Sequence, residues 1–105
     1  MGVFMINVIA SISVKSSHLA SFIEIFKANI PSVLAEEGCI EYTANIDIIT
    51  EIHVQQLDAN TVTIVEKWQS IDHLYAHLNA PHMLEYKAKV TDMVDDLSIK
   101  ILQAV

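Results

Sequence analysis

Apolar and polar positions alternate from Met5 to Val14, with Ile6, Val8, Ala10, Ile12 and Val14 on one side and Asn7, Ser11 and Ser13 on the other. That period of two predicts a half-buried strand. The period then lengthens: Leu19, Phe22, Ile23, Phe26, Ile30, Val33 and Leu34 recur three and four apart. They predict an amphipathic helix that Ser16 or Ser17 caps, that Gly38 ends, and that Pro31 kinks or breaks in its last turns. Alternation returns between Cys39 and Ile49, where Ile40, Tyr42, Ala44, Ile46 and Ile48 share a face. Asp58-Ala59-Asn60 is a turn signal before the β-branched run Thr61 to Trp68, so strands two and three form a hairpin whose stem extends through Thr50 to Leu57. Ser70 suits the cap of a short helix carrying Ile71, Leu74 and Leu78. Pro81 suits the first position of a second helix through Met83, Tyr86, Val90, Met93 and Val94. Leu97, Ile99 and Ile101 alternate with Ser98 and Lys100 in a terminal strand.

The resulting order, β-α-β-β-α-β, is the α+β, ferredoxin-like split arrangement, with both helices on one face of a single sheet. The other face is expected to be apolar and to be covered by a second copy, back to back; a monomer with a polar outer face is the alternative. The 105 residues form one domain, taken as 5–105. Met5 is a possible natural start and residues 1–4 are set aside; Ile6 stands where a myristoylation pattern needs Ser or Thr.

Composition narrows the function classes. Apolar residues make up 52% and charged residues 18%, with mean hydropathy +0.39, so the chain has ample material for a core. Thirteen acidic against six basic side chains give a net charge of -7, which repels nucleic acid and anionic membrane alike. Charges interrupt every apolar stretch well short of the ~20 residues that span a bilayer. One cysteine, Cys39, allows no intrachain disulfide and agrees with a reducing, cytoplasmic setting.

In the third strand Glu66 shares a face with Val62, Ile64 and Trp68. A carboxyl group there needs a partner or a proton, and burial should raise its pKa; a backbone amide or a histidine would satisfy it structurally. Trp68 offers a flat wall to a ring-shaped ligand, although buried tryptophans are commonly core. His73, His77 and His82 lie close together, with His73 turned outward. A metal would need Glu66 or His82 as third ligand. The preferred reading is proton handling by His77 with Glu66 fixing its tautomer, and His82 orienting a helix start. Tyr42 can add a phenol to the pocket, and Cys39 is packing. No Gly-rich phosphate loop or nucleophile elbow is present, so a nucleotide cofactor has no visible site.

The segments Glu36-Glu37-Gly38-Cys39-Ile40-Glu41-Tyr42 and Glu66-Lys67-Trp68, followed by His77 and Pro81-His82, resemble the antibiotic biosynthesis monooxygenase family over nearly the whole chain. The resemblance implies a dimeric α+β barrel and, as in quinol-oxidising members, oxygenation of a phenol or hydroquinone by O2 with no metal, flavin or haem. By that resemblance His77 is the base and Glu66 orients it or holds a proton. Trp68 stacks on the ring, Tyr42 or Asn7 steadies an oxygen of substrate or peroxide, and His82 completes the binding set. Two features depart from the family pattern: Glu37 stands where proline is common, and the stretch from Tyr42 to Glu66 is longer. That hairpin is expected to reach over a partner or reshape the pocket mouth. Members of this fold also degrade haem or isomerise a phosphorylated sugar. The haem branch needs a histidine where Tyr86, Lys87 and Ala88 stand, and the sugar branch needs cations, while Lys67, Lys87 and Lys89 are on no obvious pocket face. A non-catalytic dimer that binds a small molecule is the alternative from outside enzymology.

Overall fold

The computed structural model describes residues 4–105, so the myristoylation reading at Gly2 lies outside the described residues. The chain folds as β1 (Ile6–Val14), a short 3-10 turn (Ser16–His18), α1 (Leu19–Leu34), β2 (Cys39–Ile46), β3 (Thr61–Trp68), α2 (Ile71–Leu78), α3 (Pro81–Val90) and β4 (Val94–Leu102). The four strands form one antiparallel sheet in the order β2-β3-β1-β4. This is the ferredoxin-like α+β fold that the alternations predict.

The strict burial alternation of β1 and β3 sorts the two faces. Val8, Ala10 and Ile12 lie opposite Glu66, Ile64 and Val62 on the helix side. Against them α1 buries Phe22, Phe26 and Val33, and α3 buries Met83, Tyr86 and Val90. Phe26 is the hinge of this layer, stacked on Tyr42 at 5.6 Å and edge-on to Tyr86 at 5.5 Å. Such pairs add about 0.5–1.5 kcal/mol each beyond the area they bury.

Several expected boundaries move. Neither Ser16 nor Ser17 caps α1 by a side-chain bond; the backbone makes a 3-10 turn first. α1 ends at Leu34 rather than at Gly38, with Pro31 accommodated inside its last turn, where its carbonyl accepts from Ala35. α3 stops at Val90, and Met93 and Val94 belong to a turn and to β4. The hairpin stem is not formed: β2 ends at Ile46, and 47–60 is an arm without strand pairing. Side chains occupy its polar backbone instead, with Asp47 accepting from the Asp58 amide and Gln55 donating to the Ile48 carbonyl. The Asn60 carbonyl accepts from Val14, tying the arm's base to β1.

In β2 the ladder shifts register between Cys39 and Glu41, so that Cys39 lies opposite Trp68 and Glu41 opposite Lys67, while Ile40 is the extra, bulged residue. Ile40 therefore does not share the inward face with Tyr42 as simple alternation predicts. The sheet face away from the helices is also not the apolar surface expected. It carries Asn7, Ser11, Ser13, Thr43, Asn45, Thr61, Thr63 and Lys67, with Ile9 and Val65 among them. The exposed apolar residues lie elsewhere, on the arm (Ile48, Ile49, Ile52, Val54) and along β4 (Leu97, Ile99, Ile101).

Candidate functional site

Between the sheet and the helices lies a cavity of about 370 Å³, within the range typical of small-molecule sites. Its walls are mostly apolar and come from β1, β3, β4, Phe26 and the inward stripe of α3. Tyr42, Glu66, His77, Tyr86, Lys87 and Thr91 supply the polar groups.

His77 is placed by its helix. Ser70 accepts the His73 amide and so caps α2 as predicted, and from there the 3.6-residue period turns Leu74 and His77 inward together. The imidazole, 2% exposed, lies 4.6 Å from the indole of Trp68, and Tyr42 meets it edge-on at 5.5 Å. Its Nδ1 is 2.8 Å from Glu36 Oε2. The same oxygen is 2.7 Å from His82 Nε2. One carboxylate oxygen thus accepts an N–H from each histidine, and His77 Nε2 is left as the ring nitrogen free to meet a molecule in the cavity. The three side chains run from the interior outward, at 2%, 12% and 26% exposure for His77, Glu36 and His82.

The Glu36 backbone is held on both sides: its amide donates to the Val33 carbonyl, and its carbonyl accepts from Cys39. The turn needs Gly38, whose φ of +79° is left-handed and whose Cα lies directly under the His73 ring, leaving no space for a Cβ. His73 is therefore half buried against Gly38, with its Nδ1 on Ser70 at 2.7 Å, rather than turned outward.

The expected pair of Glu66 with His77 is thus replaced. Both line the cavity, but Glu66 Oε1 accepts the Trp68 indole N–H at 2.9 Å, and Glu36 is the carboxylate on His77. The physical reason is proximity along the strand: Glu66 and Trp68 are neighbours on the inward face, and the indole N–H lies within the reach of a glutamate two residues away. Trp68 is fully buried and stands behind His77, not among the cavity's lining residues. Asn7 is on the opposite face of the sheet, across from Lys67 and Leu102, because it alternates out of phase with Ile6 and Val8. His82 faces a smaller hollow with Asn29, Glu85 and Lys89, and reaches the main site through Glu36 alone. Tyr42 is where it was expected.

Glu36 and Lys87 went unassigned in the sequence. Glu36 stands two residues before a glycine that reverses the chain beside α2, which is a usable signal. Lys87, exposed on α3 beside the inward Tyr86 and one turn from Met83 and Val90, borders the cavity after all.

Burial holds the His77 pKa below its ordinary value, with the Glu36 hydrogen bond and charge acting against that. Burial raises the Glu66 carboxyl, and the Trp68 N–H partly offsets the rise. Tyr42 and Tyr86 are pushed well above the ordinary phenol range, chiefly by burial, and so stay protonated donors. The set comprises a neutral base, two phenols and a dry wall. It can take a proton from a ring hydroxyl and hold the resulting anion away from water. Among the described residues no group of three or more His, Cys, Asp or Glu side chains is arranged to hold a metal ion, since His77 and His73 spend their Nδ1 atoms on Glu36 and Ser70.

The family described as Antibiotic biosynthesis monooxygenase matches residues 5–89. The chain is 36% identical over 101 residues to the probable quinol monooxygenase YgiN of Escherichia coli, covering 94% of this chain and 97% of that one. Among solved structures, a conserved protein from Methanosarcina mazei superposes with TM-score 0.83 at 24% identity, covering 97% of this chain and 94% of that one. PA3566 from Pseudomonas aeruginosa does so with TM-score 0.82 at 20% identity, covering 97% and 95%. These two show the shared fold.

Proposed function

The chain belongs to the antibiotic biosynthesis monooxygenase family, and from that premise we propose that it oxygenates a phenol or hydroquinone with O2 and without a cofactor. The observation that carries this reading is His77: its Nδ1 is fixed by Glu36 and its Nε2 is free at an apolar cavity. In the mechanism, Nε2 takes the proton of a ring hydroxyl, and Glu36 stabilises the imidazolium that forms. The electron-rich anion then gives one electron to O2, the two radicals combine as a ring peroxide, and loss of water leaves one oxygen atom on the ring. Chain groups contribute positioning and a water-poor site, with the phenols of Tyr42 and Tyr86 available to donate to oxygen. Glu66 serves as a polar anchor that holds Trp68 behind the imidazole.

The working unit in this reading is a homodimer. Supporting it are the exposed apolar residues of the arm and of β4, and a radius of gyration of 14.5 Å against the about 13 Å of a self-contained domain of this length. Light scattering at micromolar concentration tests it, with a monomer as the refuting result. Among the described residues no helix is long and apolar enough to cross a membrane. The cytoplasm, where the single thiol of Cys39 would stay reduced, is the compartment this reading expects.

Oxygen uptake by metal-stripped protein, corrected for autoxidation, over a panel of naphthohydroquinones and anthrones is the direct test. Uptake that disappears in His77→Ala supports the reading. Uptake that His77→Ala leaves intact refutes the base, and no uptake across the panel favours a ligand-binding role.

A further inference from the structure

Lys87 is the only Lys or Arg among the cavity's lining residues. It makes no salt bridge among the described residues, and its helix offers it none: the positions three and four away are Met83, Leu84, Val90 and Thr91. Lys87 is exposed at the rim of this apolar cavity, and with no such salt bridge its ammonium is free to meet a counter-charge carried by a ligand. A lysine at such a rim can lay its stem along the apolar wall and keep its ammonium in water. Lys87 and His77 both line this cavity. A ligand that fills the cavity therefore meets both.

We propose that Lys87 selects substrates whose ring bears an anionic substituent, a carboxylate in the first instance, seated at the mouth while a ring hydroxyl lies at His77. This rests on the reading of the cavity as the site of a phenolic substrate. It names a substrate class within that reading: acidic hydroxy-aromatics over neutral ones. The remaining charged groups facing the site do not compete for the same role. Glu66 is held by Trp68, and Glu36 by two histidines.

The test is calorimetric binding of a hydroxynaphthoate and of the matching naphthol, ligands that bind without turnover, to the full chain and to Lys87→Met, Lys87→Arg and Lys87→Glu. At moderate ionic strength the wild type should favour the carboxylated ligand by about two- to fivefold, the scale of one exposed ion pair. Lys87→Arg should keep the preference, Lys87→Met should bring the ratio to about one, and Lys87→Glu should invert it. Added salt should erode the ratio in the wild type and leave Lys87→Met unchanged. A wild-type ratio near one, no measurable binding of the hydroxynaphthoate, or a preference that Lys87→Met leaves standing overturns the assignment. Oxygen uptake is read separately, so loss of the preference with His77-dependent uptake intact refutes only the role of Lys87. An intact preference without uptake refutes the oxygenase and keeps the acidic ligand.

Discussion

Replacing Glu36 by glutamine changes one atom and tests the centre of the site. The carboxylate oxygen accepts two N–H groups at 2.8 and 2.7 Å, from His77 and His82. Both bonds end on the same oxygen, and an amide carbonyl oxygen has two lone pairs with which to accept both, so glutamine can keep the two contacts while removing the charge. His77 then loses the negative charge that favours its imidazolium. A hydrogen bond to a charged group is worth roughly 1.5–3 kcal/mol, and Glu36 at 12% side-chain exposure is screened little by water. About 2 kcal/mol lost from the transition state corresponds to a fall in kcat of about 30-fold. The pH dependence has a definite sign. Burial already lowers the His77 pKa and Glu36 opposes that, so the variant's acid limb should move to lower pH while its plateau drops. Steady-state oxygen uptake between pH 5 and 9, with circular dichroism to confirm folding, gives both readings. An unchanged plateau, or an acid limb displaced to higher pH, would refute the reasoning.

Three further outcomes are expected. Glu66→Gln keeps an oxygen for the Trp68 N–H and removes a carboxyl whose pKa burial has raised above 4.5. Because the folded state binds that proton more tightly than the unfolded state, the wild type loses stability as pH rises through the folded pKa. The variant's Tm should therefore exceed the wild type's at pH 8 and match it near pH 4; equal Tm at both would contradict the raised pKa. Gly38→Ala places a methyl group into the His73 ring at a left-handed φ, and should cost about 2–3 kcal/mol, seen as a Tm about 10 °C or more lower in a calorimeter. Burial, then Glu36 and Glu66, push the Cys39 thiol up to about 11, so at pH 8 iodoacetamide should label it roughly 100-fold more slowly than a free thiol, and labelling at the free-thiol rate would be the contrary result.

Much of the fold was legible because its strands and helices have clean periods. Ile6 to Val14 and Thr61 to Trp68 alternate in sequence and in burial alike, and Phe22, Phe26 and Val33 keep the helical spacing they have in the chain. The arm was misread because Ile48, Ile49, Ile52 and Val54 look like strand residues, and β propensity is realised only where a partner strand exists. At the site, local pattern identified His77, Glu66 and Tyr42 as inward. It failed for the Glu36 contact, which joins residues 41 and 46 positions apart through a glycine turn and two helices. Asn7 was placed by family resemblance against its own alternation, and the alternation was right.

The bulge at Ile40 bears on the spacing of the family motif itself. Cys39 and Tyr42 are three residues apart, an odd number, and in a regular strand they would point to opposite faces. The extra residue acts as a phase corrector: it lets Gly38 and Cys39 stay in step with the turn that aims Glu36, while Tyr42 stays in step with the cavity wall. Deleting any one residue between Cys39 and Tyr42 would put those two requirements out of step, sending either the phenol or the turn to the wrong side of the sheet. Half-exposed Ile40 is thus constrained by its place in the count rather than by its side chain. Substitutions there should be tolerated where a deletion is not.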